Sequence, residues 1–75
     1  MSGERKRAIA DYTEAIRLDP EYDLAHRNRA ASLNALGDHA GAIEDLTAAI
    51  RINPKLFEYR QARARVYRNT GKLDL

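Results

Sequence analysis

The chain matches itself when it is shifted by 34 residues, and this internal repeat constrains the fold more than any other feature of the sequence. Equivalent positions carry the same residue in the trio Gly3, Gly37 and Gly71, and in the pairs Ala8 and Ala42, Ile9 and Ile43, Asp11 and Asp45, Thr13 and Thr47, Pro20 and Pro54, and Arg29 and Arg63. A repeat of this length that recurs without gaps is one supersecondary unit, which cannot bury its apolar face alone. The repeat therefore predicts units that stack on their neighbours.

Apolar residues within each repeat keep helical spacing. Ala8, Tyr12, Ala15 and Ile16 lie at i, i+4, i+7 and i+8. This spacing places their side chains on one face of an α-helix. The sequence does not alternate between apolar and polar residues with the period of two that marks strands. The pattern therefore predicts an all-α fold, in which alanines on the packed faces let the helices approach closely.

Proline and glycine indicate where these helices begin and end. Gly37 and Gly71 are expected to end helices, because glycine accepts the left-handed backbone that closes a C-terminus. Pro20 and Pro54 are expected in first helical turns, where the missing N–H costs nothing. These residues predict helices over roughly 4–18, 21–36, 39–52 and 55–70, with residues 71–75 beginning a fifth.

The small, large and turn residues of the repeat fall at the positions typical of the tetratricopeptide repeat, which has the same length. They are Ala30, Leu33, Gly37, Ala42, Leu46, Ala49 and Pro54. The chain therefore resembles this family, and the stretch 26–38 is similar to its Asn-Arg-Gly variant. The resemblance implies a single domain over 1–75, with antiparallel helix pairs stacked as a short right-handed α-solenoid. Residues 23–56 would form a complete repeat, 3–22 the second helix of a partial repeat and 57–75 the first helix of a truncated one.

In tetratricopeptide repeats the first helix of each pair lines a concave groove that holds a peptide, and the resemblance implies such a groove here. Its wall residues would be Arg27, Asn28, Ala31, Asn34, Gln61, Arg65, Arg68 and Asn69. Arginine suits carboxylates because its guanidinium donates two parallel hydrogen bonds. We therefore expect a protein–protein interaction module whose partner is a protein or peptide of acidic character. The alternative is a helix face that contacts solvent alone.

Four repeated charges favour a structural role instead. Asp11, Arg29, Asp45 and Arg63 recur away from the groove-facing positions. Ion pairs between neighbouring helices would explain both the arginines and the aspartates, with the arginine stems packed along alanines. A buried charge left without its partner costs several kcal/mol. We therefore favour structural Arg–Asp pairs over the alternative that these residues bind a ligand.

The composition argues against catalysis. The sequence has no cysteine, so it offers no disulfide and no thiolate metal site. His26 and His39 are not part of a carboxylate cluster with metal-ligand spacing, and neither serine has an evident base beside it. The sequence therefore predicts no enzyme activity, no metal and no cofactor.

Charge and hydropathy narrow the partners and the location. No apolar run approaches the roughly 18 residues that a membrane span needs, and no signal-like segment follows Met1. We therefore expect a cytoplasmic protein without a membrane partner. The net charge is +2 with the two signs mixed, and the arginines of the last helix point in several directions rather than forming a basic stripe. RNA binding is accordingly the least favoured alternative.

The repeat pattern leaves the last helix without a following partner. Tyr59, Val66 and Tyr67 on that helix, with Leu73 and Leu75 beyond it, would then expose apolar surface. Solenoids usually cover their ends with a polar capping helix. We therefore expect a homo-oligomer that forms through the C-terminal helix, so that a structural or self-assembly segment is the second candidate function.

Overall fold

The computed structural model describes residues 2–71 and folds them into four α-helices. They are α1 (Ser2–Leu18), α2 (Asp23–Ala35), α3 (His39–Ile52) and α4 (Phe57–Thr70). The predicted all-α fold is confirmed. Two predictions concern residues outside the described part of the chain, which ends at Gly71. They are the fifth helix that begins over 71–75 and the exposure of Leu73 and Leu75.

Glycine ends α2 and α4, as its position in the repeat predicts. Gly37 follows α2 with a φ of 91°, and Gly71 follows α4 with a φ of 74°. Both values lie in the left-handed region that other residues rarely adopt. Asp38 comes directly after the first of these turns, and its Oδ1 accepts a hydrogen bond of 2.9 Å from the backbone N–H of Gly41. The glycine turn and this cap together determine where α3 begins.

Helices α2 and α4 begin at Asp23 and Phe57, two residues after the starts at 21 and 55 that the prolines predict. Pro20 and Pro54 lie in the turns that precede these helices. The backbone N–H of Tyr22 donates to the carbonyl of Asp19 at 3.0 Å, and the equivalent bond closes the second turn at 3.2 Å. Each proline therefore occupies the second position of a β-turn, for which its fixed φ is suited. It serves the turn rather than the first turn of the helix.

Each helix packs on its neighbours in the sequence, which makes the described part of the chain a short helical solenoid. The buried centre joins Ala30 of α2, Ala42 and Leu46 of α3, and Val66 of α4. Helix α3 therefore lies in the middle, with α2 and α4 on its two sides. The alanines at the contact allow close approach of the backbones, so that a few larger side chains are enough to fill the core.

Helix α4 buries two of the three residues that the sequence predicts to be exposed. Tyr59 and Val66 are each 4% exposed, because they lie on the inner side of α4. Tyr67 is half-buried. The prediction of a broad apolar C-terminal surface is therefore wrong for Tyr59 and Val66. Among the described residues of α4, Phe57 at its start is the large apolar side chain with high exposure, at 65%.

Burial falls from the middle of the solenoid toward its ends. Ala30 is 1% and Ala42 is 0% exposed, whereas their equivalents Ala64 and Ala8 are half-buried. The residue type is the same in every case, so the neighbours cause the difference. Within residues 2–71, α2 and α3 have helices on both sides, while α1 and α4 each have a helix on one side.

Replacing Ala42 with leucine is expected to destabilise the fold by about 1–3 kcal/mol, because the added methylenes have no room at a fully covered position. Ala8→Leu is the matched control, since it makes the same change at the equivalent position of α1, and its expected cost is below about 0.5 kcal/mol. Urea unfolding followed by circular dichroism measures both. Equal losses in the two variants would contradict the difference in burial between α1 and α3.

Candidate functional site

A cleft opens between α2 and α4, with α3 beneath it. It encloses about 130 Å³ and is lined by Arg27, Ala30, Ala31, Asn34, Leu46, Ala62, Arg65 and Val66. Leu46 comes from α3, and the other lining residues come from α2 and α4. The floor of the cleft is therefore apolar, while its rim carries guanidinium and amide groups.

A second and larger cleft extends toward the start of α4. It encloses about 380 Å³ and is lined by Leu24, Arg27, Leu56, Glu58, Tyr59, Gln61, Ala62 and Arg65. A third cleft on α4 is lined by Gln61, Ala64, Arg65 and Arg68. The first two clefts share Arg27, Ala62 and Arg65, so they form one continuous surface. We call it the α2–α4 groove.

The structure places the predicted wall residues in three locations. The α2–α4 groove contains Arg27, Ala31, Asn34, Gln61 and Arg65. Arg68 lies in the third cleft beside it. Asn28 and Asn69 lie outside these clefts. The side-chain oxygen of Asn28 accepts a hydrogen bond of 3.3 Å from Nη1 of its neighbour Arg27.

The sequence interpretation missed the apolar floor of the groove. Leu46 and Val66 line the first cleft although they are 2% and 4% exposed. Val66 follows the groove residue Ala62 by one helical turn, so helical spacing carries a signal for it. Leu46 comes from a different helix, and the packing of α3 under α2 and α4 brings it there. Spacing along one helix holds no information about that contact.

Arg27 and Arg65 stand on opposite walls of the groove, on α2 and α4. Neither forms an ion pair with a carboxylate of residues 2–71. Of the residues that line the groove, Glu58 is acidic. The groove therefore has a positive balance of charge, and guanidinium N–H groups on both walls remain available to an acceptor.

A hydrogen bond across the wide end of the groove ties its two walls together. The hydroxyl of Tyr59 on α4 donates to Oδ2 of Asp23 on α2 at 2.9 Å, and Nδ2 of Asn53 donates to the same oxygen at 3.4 Å. Burial, and then this hydrogen bond, raise the pKa of Tyr59 to about 12. The hydrogen bond from Tyr59 also lowers the pKa of Asp23. The bond fixes the spacing of α2 and α4 at this end.

Away from the groove, one guanidinium contacts two neighbouring helices. Arg29 on α2 donates from Nε to Oδ2 of Asp45 at 2.8 Å and from Nη2 to Oδ1 at 2.7 Å. Its Nη1 donates to Oγ1 of Thr13 on α1 at 3.1 Å. Asp45 is 5% exposed, so this bidentate pair is largely removed from water. Hydrogen bonding to Asp45 raises the pKa of Arg29.

The predicted Arg–Asp pairing does not extend to Asp11 and Arg63. Within residues 2–71 neither side chain forms an ion pair. Nη1 of Arg63 donates to Oγ1 of Thr47 at 3.1 Å, as Arg29 does one repeat earlier. The 34-residue shift explains the difference, because Asp45 belongs to the helix that follows Arg29 and no described helix follows Arg63.

The two histidines make hydrogen bonds that stabilise the fold. His26 is 8% exposed, with Nε2 at 3.0 Å from the carbonyl of Pro20 and Nδ1 at 3.4 Å from Oδ1 of Asp45. His39 begins α3, and its Nδ1 lies 2.6 Å from Oδ1 of Asn34. Within residues 2–71 no group of three histidines, cysteines or carboxylates is arranged to hold a metal ion.

The arginines of α4 are spread over several surfaces. Arg60 donates to the carbonyl of Pro54 at 2.7 Å, and Arg63 contacts α3. Arg65 lines the α2–α4 groove, and Arg68 lines the third cleft. This spread differs from the continuous basic stripe of a helix that binds nucleic acid.

A comparison with known families agrees with the repeat and the helices. The tetratricopeptide repeat model matches residues 2–22 and 28–56, which together make up more than half of the chain. No curated protein matches the sequence. None of the helices in the described part of the chain has the length and apolar character to cross a membrane.

Asp45→Ala is expected to lower the free energy of unfolding by about 2–3 kcal/mol, because it leaves the guanidinium of Arg29 without its carboxylate. Asp11→Ala is the matched control, since Asp11 is the equivalent residue but is exposed, and its expected effect is below about 0.5 kcal/mol. Urea unfolding measures both variants. The same small loss in both would contradict a structural role for the Arg29–Asp45 pair.

The raised pKa of Tyr59 predicts a loss of stability in alkali. A tyrosine whose pKa is raised by folding contributes stability below its ordinary pKa of 10.0, and that stability is lost as the pH rises toward about 12. The loss should reach about 2 kcal/mol. Tyr59→Phe removes this titration, so unfolding free energies measured against pH should fall less steeply above pH 10 in the variant. The exposed Tyr22→Phe is the control, and a slope unchanged by Tyr59→Phe would contradict the prediction.

Proposed function

This chain belongs to the tetratricopeptide repeat family, and we propose that it binds an acidic peptide segment of a partner protein in the α2–α4 groove. Repeats of this family generally mediate protein–protein interaction. The observation that carries the proposal is the position of Arg27 and Arg65 on opposite walls, without an ion pair to residues 2–71. Guanidinium groups on two walls of a concave surface can hold the carboxylates of a chain that lies between them.

The dimensions of the groove suit peptide side chains. Its narrow part encloses about 130 Å³ and opens into a wider part of about 380 Å³, so the groove is elongated and can hold several side chains of a peptide in a row. The apolar floor of Ala30, Leu46 and Val66 supports an aliphatic side chain, while the arginines on the rim support acidic ones. We therefore infer that the preferred segment carries acidic residues on both sides of an aliphatic residue.

The proposal includes no catalytic step and no cofactor. The guanidinium groups of Arg27 and Arg65 offer hydrogen-bond donors and no acceptor. The amide of Gln61 offers two donors and an acceptor, and it does not ionise near neutral pH. These groups suit recognition rather than acid–base chemistry. The absence of cysteine from the sequence fits a reducing compartment, and we place the interaction in the cytoplasm.

Anisotropy titrations with short fluorescent peptides test the proposal. The probe peptide has glutamates on both sides of a leucine, and the control peptide has glutamine in place of each glutamate. We expect the control peptide to bind about tenfold more weakly or worse, because charge-assisted hydrogen bonds are about twice as strong as neutral ones. Arg27→Gln and Arg65→Gln should each weaken binding of the acidic peptide by about tenfold.

The control variants are Arg5→Gln and Lys6→Gln, which remove exposed charges of α1 outside the groove. They should leave the affinity nearly unchanged. An equal loss in the control and groove variants would mean attraction by net charge and would overturn the groove. Single-stranded RNA that displaces the peptide, with a steep salt dependence, would overturn the proposal in favour of nucleic-acid binding.

Self-association through α4 is a second candidate function. The observation that favours it is the lower burial of α4 relative to α2, seen in Ala64 at half-burial against Ala30 at 1% exposure. A helix that occupies this open side would enclose Ala64 as Ala30 is enclosed. A second copy of the chain carries helices with the required pattern of small and large residues.

A further inference from the structure

We propose that copies of the chain stack head to tail, with α1 of one copy on α4 of another, and with Arg63 donating to Asp11 of the added copy. This inference rests on the self-association proposed above and specifies its two surfaces and their central contact. The surfaces are the sides of α1 and α4 that no helix of residues 2–71 covers. The occupant is a second copy of this chain.

The contact between α2 and α3 is the template for this arrangement. Arg29 on α2 holds the carboxylate of Asp45 on α3 through bonds of 2.8 and 2.7 Å. Arg63 is the equivalent of Arg29 one repeat later, and Asp11 is the equivalent of Asp45 one repeat earlier. When α1 of a second copy is placed on α4 as α3 lies on α2, Asp11 therefore reaches Arg63.

Arg63 is already oriented for this contact. Its Nη1 donates to Oγ1 of Thr47 at 3.1 Å, and Arg29 makes the equivalent bond at the same distance. In Arg29 this bond leaves Nε and Nη2 to Asp45. In Arg63 these two nitrogens form no hydrogen bond within residues 2–71, and Asp11 is exposed on α1. A donor held in position before binding lowers the entropic cost of the contact.

The apolar surfaces match under the same shift. On α1 the contacting residues would be Ala8, Tyr12 and Ala15, which are half-buried in one copy. Their equivalents in α3, which have helices on both sides, are at most 2% exposed: Ala42, Leu46 and Ala49. On α4 the receiving residues are Ala64 and Tyr67, both half-buried. The alanines on each side leave room for the close approach seen between α2 and α3.

A second cation lies beside Arg63 on the receiving helix. Arg60 is the equivalent of His26, whose Nδ1 lies 3.4 Å from Asp45. Nη1 of Arg60 donates to the carbonyl of Pro54 at 2.7 Å, as His26 contacts the carbonyl of the equivalent Pro20 one repeat earlier. The site that would receive Asp11 therefore has more positive charge than its template. This charge complements the single carboxylate of the added copy.

Charge also selects head-to-tail stacking over a symmetric pair of α4 helices. A symmetric pair would bring Arg60 and Arg63 close to the same residues of the other copy, and like charges in contact disfavour association. Head-to-tail contact is heterologous, so every added copy leaves one α1 surface and one α4 surface free. The proposed contact involves residues 8–15 of α1 and residues 60–67 of α4.

Sedimentation equilibrium of the full chain at increasing concentration tests the arrangement. The average mass of the wild type is expected to rise without stopping at a dimer. Arg63→Glu and Asp11→Arg each place like charges at every contact, so each should weaken association by about tenfold or more. An equimolar mixture of the two variants should restore association, because each reversed charge then meets its opposite.

Lys55→Glu and Glu44→Arg are the controls, since they make the same changes in charge at exposed positions outside both surfaces. Circular dichroism at low concentration establishes whether each variant folds. If Arg63→Glu does not fold, Arg63→Gln is used in its place. If neither Arg63→Glu nor Asp11→Arg changes the association, the head-to-tail stacking is overturned, while the proposed self-association through α4 stands. A loss in Arg63→Glu without one in Asp11→Arg would overturn the contact with Asp11. Stronger association of Arg63→Glu would overturn the stacking in favour of a symmetric α4 pair, because the reversed charge would then meet Arg60 of the other copy. A wild type that stays monomeric would overturn both proposals.

Discussion

The guanidinium of Arg29 sets the positions of three helices with one side chain. Its stem belongs to α2, its bidentate contact is Asp45 on α3, and its third contact is Thr13 on α1. Helices of 13 to 17 residues are marginal in water when isolated. The alanines between the helices allow close contact, but such small side chains interlock little and do not prevent one helix from sliding along the next. Directional hydrogen bonds to a desolvated carboxylate add the register that such a surface lacks. The α2–α4 groove depends on this register, because the Arg29–Asp45 pair holds the α2 wall of the groove against α3, which supplies Leu46 to its floor.

Local features of the fold could be predicted from the sequence, and features that depend on neighbours could not. The bounds of α3 and the turns at Gly37 and Gly71 follow from helical spacing and from the backbone freedom of glycine. Pro20 misleads because a proline fits both the first turn of a helix and the second position of a β-turn. The backbone bond that decides between them is not visible in the sequence. The family and the helical architecture thus follow from the repeat, while the starts of α2 and α4 do not.

The candidate site shows the same division. The resemblance to the tetratricopeptide repeat places Arg27 and Arg65 on the groove walls, and helical spacing places each of them on one face with the other wall residues of its own helix. The floor residue Leu46 cannot be placed by spacing, since it reaches the groove from a third helix. At the first and last described helices, residue identity predicts ion pairs that the structure does not show within residues 2–71. Asp11 and Arg63 repeat the central pair in sequence but, within residues 2–71, lack the neighbouring helix that would complete it.

The docking of α4 on α3 couples binding on one side of α4 to binding on its other side. The inner side of α4 forms one wall of the groove, and its outer side has no covering helix within residues 2–71. The groove therefore exists only in molecules whose α4 is docked, and the apparent affinity for the proposed peptide would fall in proportion to the docked fraction. A contact on the outer side that holds α4 in place raises this fraction. By reciprocity, a peptide on the inner side strengthens that outer contact by the same factor. Occupancy of one side of α4 thus tunes binding on the other through the docked fraction, without direct contact between the two bound partners.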